Sequence, residues 1–217
     1  MTGATVATLR GVLLRPVAVQ RLLAPAEVAA RDLLGTLLVR ELDGVQVIAR
    51  VVETEAYHQD DPASHSHRRR TPRTEPMFAE PGTAYVYRSY GVHWCLNIGV
   101  EPEGVGAAVL VRAATVLQGV EVVRCRRPRV RRDAELLRGP GCLTAGLDID
   151  GPRFDHRSLL DPDAPLRLLD DSSRLGEQDV IAGPRVGVSA AAEVAWRFHV
   201  RGEPSVSAYR RSPRAPV

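Results

Sequence analysis

The chain has 217 residues, 44% of them hydrophobic and 25% charged, with a formal net charge of +3; this fits one soluble globular domain, and no apolar run is long enough to span a bilayer. It contains no lysine, so all 29 basic residues are arginines and any mechanism through a lysine Schiff base is excluded. Cys95, Cys125 and Cys142 are odd in number and widely spaced, a pattern of reduced thiols in a cytoplasmic protein that argues against a disulfide framework or a zinc site.

Residues 1–20 carry arginines and no acidic residue, without the apolar core and cleavage site of a secretion signal, and read as a loose extension. Pro25 in a first turn and Gly35 as a stop predict a short helix packing through Val28, Leu33 and Leu34. Thr36 to Leu42 reads as a strand, and Asp43-Gly44 as a hairpin turn into a second strand, Val45 to Tyr57. Strict alternation there puts Val45, Val47, Ala49, Val51, Glu53, Glu55 and Tyr57 on one face. An apolar face thus ends in two carboxylates and a phenol, and carboxylates on a buried face must be paired, hydrogen-bonded or functional.

Residues 58–82 hold His58, His65, His67, the run Arg68 to Arg70 and four prolines, which predicts a long functional loop. Thr83 to Tyr90 alternates again, with Tyr85 and Tyr87 on one face. Tyr90-Gly91 reads as a tight turn that leaves Tyr90 projecting at a hairpin tip. In the next strand, His93 to Gly99, Asn97 shares a face with His93 and Cys95 and needs a polar partner. Ala107 to Ala114 reads as a central strand broken only by Arg112, whose expected partner is Glu53 or Glu55. Downstream the pattern predicts a helix over Val116 to Arg127, a short helix over Cys142 to Gly146 and a strand at Leu166 to Leu169. Closing strands follow at Val180 to Val188 and Trp196 to Val200, and the polar tail from Ser205 is expected to fray. The fold class is α+β: a single domain over 21–207, with a curved, mostly antiparallel sheet, short helices around it, and a tail over 208–217.

Carboxylates, an arginine, tyrosines, a histidine and an asparagine in one region fit water activation beside a flat aromatic substrate, since tyrosines stack on planar rings. Enzymes that act on nucleic-acid bases use such an arrangement around a flipped base, and the arginines at 68–70 and 124–132 would suit the backbone. Tyr85 and Tyr87 as plain core residues, and the arginines as a solvated surface, remain the alternatives. The spacing of His58, His65 and His67 with Glu53 and Glu55 matches no metal motif. Neither GxGxxG, a P-loop nor GxSxG occurs. On residues alone, two other readings stay open: a metal-dependent hydrolase of nucleotides or nucleic acid, and a non-catalytic nucleic-acid-binding module.

Val52-Glu53-Thr54-Glu55-Ala56-Tyr57, Thr71-Pro72-Arg73, Met77-Phe78, Pro81-Gly82-Thr83-Ala84-Tyr85-Val86-Tyr87, Tyr90-Gly91 and Cys95-Leu96-Asn97-Ile98 closely resemble the alkyladenine DNA glycosylase family, also called methylpurine or 3-methyladenine DNA glycosylases. The resemblance continues through Leu110-Val111-Arg112-Ala113, Gly139-Pro140-Gly141, Arg185-Val186-Gly187-Val188 and Val200-Arg201-Gly202, covering about residues 20–207. It implies a monofunctional glycosylase that flips alkylated or deaminated purines (3-methyladenine, 7-methylguanine, hypoxanthine, ethenoadenine) from damaged duplex DNA and leaves an abasic site. By this resemblance Glu55 is the general base, Glu53 is structural, and Arg112 helps to hold the water with the backbone of Val186. Tyr57, His65 and Tyr87 enclose the base, Asn97 opposes the amino group of normal guanine, and Tyr90 is the intercalating wedge. It also implies a monomer that needs neither a metal nor an organic cofactor.

Overall fold

The structure is a computed structural model that describes residues 7–42 and 44–216. In chain order its elements are β1 (Thr8–Leu9), β2 (Val12–Leu13), β3 (Arg15–Pro16), α1 (Val19–Leu22), α2 (Ala26–Asp32), β4 (Leu37–Leu42) and β5 (Val45–His58). Next come β6 (Ala84–Ser89), β7 (His93–Gly99), β8 (Ala107–Gln118), α3 (Val120–Arg126), α4 (Pro140–Gly146) and α5 (Gly151–Phe154). The last are β9 (Leu166–Asp170), β10 (Val180–Gly183) and β11 (Arg197–Val200). One antiparallel sheet runs β3-β9-β4-β5-β8-β7-β6, and β11 adds to β5 and carries β10. The fold is thus α+β, a curled antiparallel sheet with a few short helices, as the sequence implies.

β5 is the axis of this sheet because its 14 residues have more partners than one neighbour can supply. On one side its first half pairs with β4 and its Glu53 to Glu55 stretch with β11, while β8 runs along the other side. Helices α2, α3, α4 and α5 lie against the sheet, over a core that includes Val47, Ala49, Val51, Leu96, Ile98 and Val109.

Two bulges decide which face the carboxylates occupy. On β5, Val51 pairs with Ala114 and Glu53 with Ala113, so Val52 is an extra residue. On β8, Ala113 pairs with Glu53 and Val111 with Thr54, so Arg112 is an extra residue. Each insertion reverses the in-out alternation beyond it. Val47, Ala49 and Val51 therefore share a core with Ala56, and Ala107, Val109 and Val111 share it with Ala114. Thr54 points the same way, its hydroxyl donating to the carbonyl of Ala30 in α2 at 2.7 Å. Glu53, Glu55 and Tyr57 thus lie opposite Val47, Ala49 and Val51, where unbroken alternation had placed them on the same face.

Other expectations are corrected in the same way. The segment read as a loose extension is tied down from Ala7 onward: β1 and β2 form a hairpin, β3 pairs with β9, and Ala7, Leu9 and Leu14 pack on Leu37, Val39 and Ile48. In α2 the buried positions are Ala26, Ala29 and Ala30, with Leu33 and Leu34 just beyond, whereas Val28 is exposed. β8 runs on to Gln118, and Gly119 at φ +76° turns the chain into a helix that starts only at Val120. The strand expected to reach Val188 stops at Gly183. The register Leu42 to Val45 and Gly44 at φ +76° agree with a two-residue hairpin turn, whose Asp43 lies outside the described residues. The tail from Ser205 does not fray: Ser205 is buried, and Ser207 reaches the centre of the molecule.

Deleting residues 1–16 should uncover Leu37, Val39 and Ile48 and lower unfolding stability by about 2–4 kcal/mol, judged from the apolar side chains lost. Thermal unfolding of the shortened chain measures this; an unchanged midpoint would restore the loose-extension reading.

Candidate active site

Glu53, Glu55, Arg112 and Arg197 meet between β5, β8 and β11, all of them buried. Arg112 bridges the two carboxylates, its Nε 2.8 Å from Glu53 Oε1 and one terminal nitrogen 3.2 Å from Glu55 Oε2. The sequence left Arg112 to pair with one glutamate or the other; it pairs with both. Arg197 donates from Nε to the same Glu53 oxygen at 2.7 Å, and the amide and hydroxyl of Ser207 each donate to Glu53 at 2.8 Å. Burial pushes the Glu53 carboxyl up, but Arg112, Arg197 and the Ser207 amide outweigh it and hold the group below the usual carboxylate range. Arg112 is likewise disfavoured by burial, yet the two carboxylates more than compensate and raise it.

Glu55 is held differently. Its Oε1 accepts from the Val186 amide at 2.7 Å, and its Oε2 accepts from the Tyr57 hydroxyl at 2.9 Å and is ion-paired with Arg112. Tyr57 is thereby fixed as a neutral phenol, its pKa pushed well up by burial and then by the charge of Glu55. Behind the Tyr57 ring lies Arg185, 4.8 Å from the ring centroid. It is fully buried, paired with both oxygens of Asp61 and donating to the Ala56 carbonyl at 3.0 Å. Sequence reasoning passed over Arg185, Asp61, Arg197 and Ser207. Arg185 shows the signal that exposed Arg112, an arginine set in an apolar stretch.

Above Glu55 opens a cleft of about 560 Å³ lined by Tyr57, His65, Arg73, Tyr85, Tyr87, Tyr90, Asn97, Leu110 and Val186, among others. Every residue predicted for base binding is therefore on its wall, and Glu55 and Arg112 lie beneath it, joined to Tyr57 and Val186 by the bonds above. Tyr85 and Tyr87 stack on each other with centroids 5.2 Å apart, and His65 stands edge-on to Tyr87 at 4.6 Å. His65 Nδ1 is 3.0 Å from the Tyr85 hydroxyl. The packed side of the His65 ring and, after it, the nearby Arg73 guanidinium lower its pKa, so that it is neutral at pH 7. Burial pushes Tyr85 up to about 12, and Tyr87 is raised by burial and then by Cys95. The partner Asn97 requires is the Tyr85 carbonyl, to which its Nδ2 donates at 3.0 Å. That bond fixes which way the amide faces.

Tyr90 occupies the β6–β7 turn at φ +49°, followed by Gly91 at φ +69° and closed by the Val92 amide on the Ser89 carbonyl at 2.9 Å. A positive φ at two successive residues is the geometry of a tight hairpin turn. It leaves the Tyr90 side chain 94% exposed, at the rim of the cleft. Within the arginine cluster of 124–132, Arg124 pairs with Glu121 and Asp133, Arg126 with Asp148 and Arg132 with Glu135. Among the described residues no group of three or more His, Cys, Asp or Glu side chains is arranged to hold a metal ion. His58 lies near Asp60 and Glu101, while His67 meets the Gln59 carbonyl. Among those residues no helix is long and apolar enough to cross a membrane.

Residues 20–204 match the family described as Methylpurine-DNA glycosylase (MPG). A relative from Nocardia farcinica is 47% identical over 206 residues, covering 92% of this chain and 94% of that protein. One from Rhodococcus jostii is 48% identical over 86% of this chain and 82% of its own, and one from Mycolicibacterium paratuberculosis is 43% identical over 94% and 98%. All three bear the name "Putative 3-methyladenine DNA glycosylase".

The depressed carboxyl of Glu53 makes stability pH-dependent. Its contribution is fully present above about pH 4.5, the unshifted value, and is lost as pH falls through the lower folded-state value. Denaturant unfolding from pH 7 to pH 3 should therefore show an acid loss that is smaller in Glu53→Gln. At pH 7 that variant should be weaker than wild type by about 3–5 kcal/mol, because Arg112 and Arg197 lose a buried countercharge. Equal acid slopes in the two proteins would reject this assignment.

Proposed function

The chain belongs to the methylpurine-DNA glycosylase family, and from that premise we propose that it flips alkylated or deaminated purines out of duplex DNA and hydrolyses their N-glycosidic bond with a water activated by Glu55. That the protein is a DNA glycosylase, a hydrolase, follows from the family itself. The lesion class and the chemistry are our reading. It takes 3-methyladenine, 7-methylguanine, hypoxanthine and ethenoadenine as substrates, acts as a cytoplasmic monomer and uses no metal or organic cofactor.

The observation that carries this reading is the hydrogen bonding of Glu55. A carboxylate has about four acceptor positions; the Val186 amide takes one on Oε1 and the Tyr57 hydroxyl one on Oε2, where the ion-paired Arg112 also sits. One position is left on Oε1, beside two residues that line the cleft, and a water donating to it is held against a general base. As the oxygen of that water bonds to the anomeric carbon, its proton passes to Glu55 and the glycosidic electron pair leaves with the base. A cationic alkylated purine then departs neutral. The carboxylate also lies where an oxocarbenium-like charge develops.

Binding follows from the wall. An unstacked base slides between Tyr57 and the Tyr87–His65 pair, stacking on their rings, and the exposed Tyr90 fills the gap it leaves. Neutral His65 can meet a base without setting a second positive charge beside a cationic lesion. Asn97, pinned by the Tyr85 carbonyl, presents a fixed amide to the purine edge. A guanine amino group directed at its remaining N–H would set donor against donor, which is how Asn97 disfavours normal guanine.

Single-turnover release of base from duplexes carrying one hypoxanthine or one ethenoadenine, with EDTA present, tests this. Glu55→Gln should slow release by at least about a hundredfold, within the range for loss of a general base, while keeping its affinity for the duplex. Loss of wild-type activity in EDTA would point instead to a metal-dependent hydrolase, and wild-type binding without release on every lesion to a binding module.

A further inference from the structure

The family match ends at residue 204, yet the chain immediately beyond it returns to the carboxylates. Ser205 is buried, its hydroxyl 3.0 Å from that of Thr115 on β8. Two residues on, Ser207 uses every polar group it has. Its amide donates to Glu53 Oε2 and its hydroxyl to Glu53 Oε1, both at 2.8 Å, while its carbonyl accepts from Arg197 at 2.8 Å. The same hydroxyl accepts from Arg112 Nη2 at 3.2 Å. Further along, the Arg210 carbonyl accepts from the Gly187 amide at 3.0 Å, next to the Val186 amide that holds Glu55.

We propose that this C-terminal segment is part of the catalytic apparatus, with Ser207 as a positioning residue for Glu55 that acts through Arg112. The planar guanidinium of Arg112 presents its donors in a rigid fork. With Nε fixed on Glu53 and Nη2 on Ser207, the remaining Nη1 can only face Glu55. Without the Ser207 hydroxyl, Nη2 is left unpaired in a buried site and the plane turns to find another acceptor. The Nη1 contact with Glu55 Oε2 is then lost, and the carboxylate keeps only its Val186 and Tyr57 bonds to hold it in place. Ser207 itself is not among the residues that line the cleft, so its hydroxyl is not expected to contribute to DNA binding.

This rests on Glu55 as the general base, and Glu55→Gln is therefore assayed alongside. Ser207→Ala should lower single-turnover release from a hypoxanthine or ethenoadenine duplex by about 10- to 100-fold, the usual scale for groups that orient a reacting residue. The dissociation constant for the same duplex should not move, and Ser207→Thr, which keeps the hydroxyl, should recover most of the rate. If Ser207→Ala does not fold, Ser207→Cys, which keeps the side chain's shape but replaces the hydroxyl with a weak hydrogen-bonding thiol, carries the same test. Wild-type release by the alanine variant overturns the proposal, as does a loss shared equally between rate, affinity and folding stability. Should Glu55→Gln itself release base normally, it is the general-base reading that fails.

Discussion

The structure depends on a buried square of charge, Glu53 and Glu55 against Arg112 and Arg197. Two carboxylates side by side in an apolar interior would repel and protonate; two guanidiniums alone would be worse. Together they cancel, and each charge is joined to at least one of the opposite sign. Such a cluster contributes little net stability compared with apolar packing of equal volume. What it provides is direction. Glu55 is held at both of its oxygens, by the Val186 amide and the Tyr57 hydroxyl, so this carboxylate keeps one orientation.

That square exists because two strands carry an extra residue each. Had β5 and β8 paired without interruption, the residues from Glu53 onward would have faced the helices with Val47 and Val51, and the cleft side would have received Thr54 and Ala56. The bulge at Val52 turns β5 over, and the bulge at Arg112 turns β8 with it. Because the two offsets compensate, pairing resumes in register and the sheet continues to β7 and β6, where the tyrosines wait on the same face. Bulges beside an active site re-aim side chains in this way.

Much of this was legible in the sequence, for reasons that can be named. Glu53 and Glu55 stood out as carboxylates in a hydrophobic strand, Arg112 as a cation in another, and Tyr90-Gly91 as a turn whose aromatic had nowhere to pack. These are violations of local pattern, and such violations concentrate at sites. The bulges were illegible because an inserted residue leaves the composition of a strand unchanged and shows only in pairing. The place of Ser207 was illegible for the opposite reason: Ser205 to Ser212 is mostly polar and flanked by Pro204 and Pro213, the composition of a frayed end, and only the charges it meets make that polarity useful. Arg185 was within reach, being an arginine among valines, but its partner Asp61 lies 124 residues away in a loop.

On the proposed reading, the cleft suits bases of different charge for a physical reason. Its walls are phenol rings whose protons are held firmly, Tyr57 by Glu55 and burial, Tyr85 and Tyr87 by burial, so no anion forms there to favour cationic purines outright. Its positive groups sit behind or beside rings: Arg185 on Tyr57, and Arg73 at 5.4 Å from the Tyr87 centroid. A ring already engaged by a guanidinium has less negative potential to offer another cation. On that reading stacking area outweighs charge in holding a base, a requirement that neutral and cationic purines both meet. In the proposed mechanism discrimination then falls to two fixed features, the amide of Asn97, pinned by the Tyr85 carbonyl, and the orientation of Glu55, which would reward a glycosidic bond that is ready to break.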